Sequence, residues 1–192
     1  MIKRFIDKLL GKVPNGAGRG SALGKRVELS KAEHGIDRAL LDANAVKVVQ
    51  TLKDAGHEAY VVGGAVRDLM LGVQPKDFDV ATDAFPEDVH KHMRRSPLIG
   101  RRFKLVHAVF QNEVVEVSTF RAAHDVHTVK DEHGRVLRDN VFGSIAEDAA
   151  RRDFTVNALY YEPSSETVID YHHGVADLQQ KTLRMIGDPR QR

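Results

Sequence analysis

The sequence predicts an α+β fold in which helices pack against a mixed or antiparallel sheet, and three observations carry that expectation. Short β-branched runs, such as "EAYVVGG" at 58–64 and "FDVAT" at 78–82, alternate with segments of helical period along the chain. Two further runs, 103–110 and 113–120, are joined by the turn-like pair Gln111 and Asn112, so they read as an antiparallel hairpin in the middle of the sequence. At 192 residues, 42% hydrophobic and 29% charged, the chain has the length and composition for one globular core with a small appendage.

Each element follows from local chemistry. Residues 1–30 begin with a short basic amphipathic stretch and pass into Gly, Pro, Ser, Lys and Arg without periodicity, which predicts a basic, largely flexible extension over 1–41. From residue 42 order returns, and 42–192 is expected to form the globular domain. Asp42 can cap a helix whose apolar positions Ala45, Val48, Val49 and Leu52 recur at helical spacing, with Gly56 as its stop. A strand through Val62, a short helix over 65–71 closed by Gly72, and the "FDVAT" strand after Pro75 come next. Pro86 starts a helix expected to run to about Arg95, followed by the hairpin. Residues 123–143 are polar and aperiodic and predict a mobile loop. Ser144 with Glu147 makes a capping box that opens a helix toward "RRDFTVNALYY" at 151–161, with Phe154, Val156 and Leu159 as its core anchors. "TVIDY" at 167–171 reads as a last strand.

Composition narrows the function. No apolar run approaches the roughly 18 to 20 residues needed to cross a bilayer, so a soluble protein without an integral membrane segment is expected. The absence of cysteine excludes disulfides, thiol nucleophiles and thiolate metal sites, and fits a cytoplasmic setting. His124, His127, His133, His172 and His173 lack the paired spacing of a zinc site. A net charge of +2 conceals arginine clusters at 94–95, 101–102, 121 and 151–152, which suit an anionic ligand. The basic tail, with Lys3, Arg4, Lys8 and Lys12, has the charge for weak contact with RNA or an anionic membrane surface.

Asp77 and Asp79 stand one residue apart in an otherwise apolar strand. Side chains alternate across a strand, so both carboxylates project from one face while Phe78 and Val80 enter the other. Two hard oxygen ligands with open positions for water and phosphate are what Mg2+ requires. Gly63 and Gly64 lie between a strand and a helix N-terminus, where backbone N–H groups can approach an anion. Arg67 and Asp68 occupy the first turns of that helix; a plain surface pair is the alternative reading. Glu116, on the second hairpin strand, alternates with core-directed Val115 and Val117 and can join the aspartates as third ligand or base.

The block "VVGGAVRDLMLGVQPKDFDVATDA" at 61–84, with "VEVSTFR" at 115–121 and "RRDFTVNALYY" at 151–161, resembles the head of the class II nucleotidyltransferases. This polymerase-β-like family includes bacterial poly(A) polymerases and CCA-adding tRNA nucleotidyltransferases. The resemblance implies a polymerase-β-like nucleotidyltransferase head that uses ATP, RNA 3′ ends and Mg2+, with metals on Asp77 and Asp79 and the triphosphate at Gly63 and Gly64. It implies nucleotide-side roles for Arg67, Asp68, Arg121, Arg151, Arg152 and Asn157, and leaves Glu116 and Asp153 both open as the acid that completes the catalytic set. "LIGRRFKLVHAVF" at 98–110 is similar to the segment that marks poly(A) polymerases, in which Arg101, Arg102 and His107 would contact RNA or phosphate. Relatives continue into neck, body and RNA-binding regions, so a head that shows little tailing by itself is expected. CCA addition is the alternative activity, and a catalytically silent nucleotide- or RNA-binding module is the further one. An aromatic content of 6% without tryptophan does not favour base-stacking as the main function.

Overall fold

The computed structural model describes residues 23–100, 104–111, 113–122 and 142–187, with the backbone of 129–130 and 136–138. Its elements in chain order are β1 (Val27–Leu29), α1 (Lys31–His34), a 3-10 turn (Arg38–Leu40), α2 (Ala43–Asp54), β2 (Ala59–Val62), α3 (Gly64–Met70), β3 (Asp79–Thr82), α4 (Pro86–His92), β4 (Leu98–Ile99), β5 (Leu105–Val109), β6 (Val114–Thr119), β7 (Val129–Lys130), β8 (Val136–Arg138), α5 (Ile145–Ala150), a second 3-10 turn (Thr155–Asn157), β9 (Leu159–Glu162), β10 (Thr167–Asp170) and α6 (Gly174–Gln179).

The helix starts follow the capping chemistry. Asp42 Oδ1 accepts from the Ala45 N–H at 2.7 Å, which satisfies one of the unpaired amides of α2. Pro86 opens α4 where its missing N–H removes no hydrogen bond. Ser144 and Glu147 close a reciprocal box at the start of α5.

Eight of the described strands form one mixed sheet in the order β1-β10-β9-β2-β3-β6-β5-β4, and β7 pairs with β8 in a separate ribbon. Neighbours in the large sheet are antiparallel except β3 and β6, which run parallel. Alternation along the strands divides the core in two. Val61, Val80, Val117, Tyr161 and Val168 meet the apolar stripe of α2 and the inner faces of α3 and α4. Tyr60, Val62, Ala81, Tyr160 and Ile169 face the other way, toward Ile145 and Ala149 of α5. Burial of these apolar faces is the main stabilising term, and it fixes register, since a slip of one residue would turn each strand inside out.

Several expectations need correction. Residues 27–41, assigned to the flexible extension, are built into the sheet and core: β1 pairs with β10, and Ile36 is buried beside α2. Residues 1–22 of that extension, with Lys3, Arg4, Lys8 and Lys12, lie outside the described residues. The α4 helix ends at His92 and not at Arg95. Within 123–143, expected as a loop, β7 and β8 form a short ribbon, while His124, His127 and His133 are outside the described residues. The helix opened by Ser144 ends at Ala150, and Leu159–Glu162 enter the sheet as β9. Val156 and Leu159 are buried as expected, but Phe154 is only partly so.

Candidate active site

The two aspartates sit where β3 begins. Phe78 and Val80 are 4% and 0% exposed, while Asp77 and Asp79 face outward, so the alternation read from sequence holds through this stretch. In the ladder Asp79 is opposite Val62 of β2 and Glu116 of β6, and Glu116 is opposite His107 of β5. Directly opposed residues share a sheet face, so Asp79, Glu116 and His107 form a row across three strands. The row continues inward through Val62 to Tyr160 of β9.

The electrostatics of this row are strained. Asp79 is exposed as a residue, yet its carboxyl group lies against atoms that displace water, and that desolvation raises its pKa. Glu116 and Asp77 push it further up; Arg152 pulls it down without cancelling them. His107 is half-buried with its Nε2 3.7 Å from Glu116 Oε2, so the ring lies on the acidic row. Arg101 and Arg102, its expected partners in RNA contact, lie outside the described residues. Among the described residues no group of three His, Cys, Asp or Glu side chains forms a complete metal cage. Two neighbouring carboxylates with crowded negative charge nevertheless fit a hard divalent cation, which takes its remaining ligands from water and phosphate.

The glycine turn is adjacent. Gly63 adopts φ 77° and ψ −135°, a conformation a residue with a Cβ resists, and stands as N-cap of α3. Its own N–H donates to the Leu159 carbonyl at 3.1 Å, so Gly63 supplies shape, and donors toward an anion must come from the turn after it. Arg67 pairs with Asp68 at 2.9 Å, as the plain surface reading held, but its Nη1 also donates to Asn157 Oδ1 at 2.8 Å. Asn157 Nδ2 in turn donates to Asp153 Oδ1 at 3.3 Å, which also accepts from the Phe154 N–H. A continuous network therefore ties the start of α3 to the "RRDFTVN" segment. Glu116 is the acid that ladder register sets beside Asp79; Asp153 is turned into this second network.

Arg152 lies between the two groups. Its Nε donates to the Tyr160 hydroxyl at 3.0 Å and its Nη2 to Asp148 Oδ2 at 3.0 Å, with the guanidinium 5.2 Å from the Tyr160 ring centre. Burial opposes its charge, but Tyr160 and Asp148 outweigh that effect and its pKa is raised. Arg151 donates to the Ala122 carbonyl at 2.8 Å, and the Arg121 N–H to Asp148 Oδ1 at 3.2 Å. Gly143 lets α5 start this close to the sheet, because a Cβ there would stand 2.6 Å from the Ala122 Cα. Asp148 and Tyr160 escaped the sequence reading, although Asp148 carried a signal: it lies four residues before Arg152 after a capped helix start, the spacing of an ion pair. A cavity of about 630 Å³ lined by Lys47, His92, Arg94 and Arg95 opens by α2 and the hairpin, with Val48 and Ala108 of the opposite core in its wall.

Residues 59–184 match the family described as the poly A polymerase head domain. The chain is 45% identical to poly(A) polymerase I of Salmonella typhimurium, over 100% of its own length and 42% of that protein. It is 52% identical to poly(A) polymerase I of Haemophilus influenzae over 76% of its length and 34% of that protein. It therefore spans less than half the length of these relatives. Among solved structures, the Bacillus stearothermophilus CCA-adding enzyme in complex with CTP superposes with a TM-score of 0.62 at 35% identity, covering 74% of this chain and 33% of that one. The fold is the mixed-sheet, polymerase-β-like head that the sequence led us to expect, and the chain belongs to the poly(A) polymerase head-domain family.

Proposed function

We propose that this head catalyses template-independent transfer of AMP from ATP to RNA 3′ ends, a step in mRNA processing and decay in the cytoplasm. The observation that carries the reading is the register of Asp79 with Glu116 beside the Gly63 turn, with Arg152 close enough to act on the Asp79 carboxylate. Asp77 and Asp79 would hold divalent metal, and the hardness of these ligands points to Mg2+. Bound there, the metal supplies charge neutralisation for the triphosphate and for the attacking oxygen. Glu116 completes the acidic set, as ligand or as acceptor of the primer hydroxyl proton, with His107 Nε2 3.7 Å from its carboxylate. Gly63 and Gly64 give the triphosphate room to approach the start of α3. Arg152, Arg67 and Arg121 meet phosphate charge, while Asn157 and Asp153 fix Arg67. Arg151, anchored on the Ala122 carbonyl, holds the neighbouring backbone.

CCA addition is the second reading, supported by the likeness to the CTP-bound structure. Adenylate addition leads because the poly(A) polymerases match at higher identity. The deciding experiment offers each nucleotide separately to a labelled RNA and the full-length protein with Mg2+. A lengthening ladder with ATP alone supports poly(A) synthesis; a short addition needing CTP supports the alternative. No extension with any nucleotide would sink both.

A further inference from the structure

The acid that neutralises Arg152 is itself deeply placed. Asp148 is 7% exposed, and its two oxygens take donors from three directions: the Arg121 N–H, Arg152 Nη2 and the Tyr160 hydroxyl at 2.7 Å. A buried carboxylate with this many donors is held in one orientation. Tyr160 is fully buried on β9 and serves twice, donating to Asp148 and accepting from Arg152 Nε. Two edges of the guanidinium are thereby fixed from below. Its third nitrogen points to the glycine turn: a methyl group added to Gly63 would lie 3.5 Å from Arg152 Nη1.

We infer that Asp148 and Tyr160 are positioning residues that aim the Arg152 guanidinium at the phosphates of a nucleotide bound on the Gly63 turn. This rests on the reading of the turn as the triphosphate site. Neither residue touches the nucleotide; both act through Arg152. Their removal should therefore weaken binding in proportion to the number of phosphates, which a general loss of folding would not do.

Two measurements on this 192-residue chain test the idea. In the first, the NMR signal of the Arg152 Nε–H is followed without ligand. Asp148→Asn and Tyr160→Phe should each shift it and speed its solvent exchange at least tenfold; an unchanged signal in both overturns the proposal. In the second, ATP and AMP are titrated with Mg2+. Asp148→Asn should raise the Kd for ATP at least tenfold and that for AMP less than twofold, with Tyr160→Phe smaller in the same direction. The double variant Asp148→Asn with Arg152→Lys should bind ATP no worse than Arg152→Lys alone. Equal losses for ATP and AMP, or additive losses in the double variant, overturn the proposal in favour of a purely structural role. If the parent binds neither nucleotide, the reading of the turn fails and the phosphate target with it, while the NMR measurement still decides whether Asp148 and Tyr160 hold Arg152. Should Asp148→Asn not fold, Tyr160→Phe carries both measurements.

Discussion

The acidic row on β3 and β6 and the arginine network between α5 and β9 share one sheet face, yet they are in opposite electrostatic states. Around Arg152 the chain supplies its own compensation: Asp148 and Tyr160 raise the arginine's pKa in spite of burial. Around Asp79 it does the reverse, stacking Glu116 and Asp77 onto a desolvated carboxyl so that its pKa rises. Like charges gathered with only partial internal relief, here from Arg152, cost stability. The difference separates a half whose charge the chain compensates by itself from a half whose charge it leaves only partly compensated.

The largest expected effect comes from breaking the partly compensated half. Asp77→Ala or Asp79→Ala in the full-length protein should lower extension by on the order of a thousandfold, about 4 kcal/mol of transition-state stabilisation. Asp79→Asn should melt at or above the parent temperature without divalent metal, because it removes a repelled charge. Mg2+ should raise the parent's melting temperature and leave that of Asp79→Asn in place. Near-normal turnover by either alanine variant with Mg2+ would break the comparison outright.

A second test sets Asp79 against Glu162, an acid the chain satisfies fully. Burial pushes the Glu162 pKa up, but the Lys53 ammonium at 2.8 Å and the N–H groups of Ser164 and Ser165 win, and it falls to about 2. A lowered folded-state pKa contributes stability that is complete above the ordinary value of 4.5 and is lost as pH falls toward 2. For Asp79 the sign is opposite: its charged form is a burden at neutral pH, relieved as pH falls through its raised pKa. Glu162→Gln should cost about 2 kcal/mol at pH 7 and flatten the acid limb of the stability curve. Urea melts from pH 3 to 7 check this, and a parallel pH dependence in parent and variant would show that Glu162 is not the titrating group.

How much of this was legible depended on whether the cause was local. The alternation around Asp77 to Val80, the caps at Asp42 and Ser144 and the hairpin at 105–119 are short-range patterns, and the structure repeats them. Strand β9 was hidden because Tyr160 and Tyr161 are both buried, one on each sheet face, so their run carries no period of two. The short edge strand β1 has two exposed residues of three, and only its pairing with residues 168–170 reveals it. The contact of Arg67 with Asn157 joins residues 90 apart in sequence, and no spacing rule reaches that far. The acidic row follows ladder register and could be read locally; the arginines were named by resemblance, but their pairing with Asn157 and Tyr160 is tertiary and no local pattern shows it.

Asp153 sharpens the same comparison at smaller scale. Since it holds Asn157, which holds Arg67, Asp153→Ala in the full-length enzyme should weaken ATP use about tenfold, near 1.4 kcal/mol, with little change in melting temperature. Kinetics equal to the parent would leave the segment a structural role only.

The smallest expected effect concerns how α5 carries the compensated half. The helix has six residues, too few to persist by propensity, so its start depends on Ser144 and Glu147 and its end on the ion pair of Asp148 with Arg152. Ser144→Ala removes the hydroxyl that accepts from the Glu147 N–H and should cost about 1 kcal/mol. Asp148 lies one residue beyond the box, so fraying there should loosen its hold on Arg152 and raise the Kd for ATP two- to threefold, well below the effect of Asp148→Asn. Denaturant midpoints and nucleotide titrations on the same samples measure both. A loss of stability with unchanged ATP affinity would reverse the order of cause: the buried bonds of Asp148 to Arg152 and Tyr160 would then be holding the helix, and the cap would contribute nothing to the aim of the arginine.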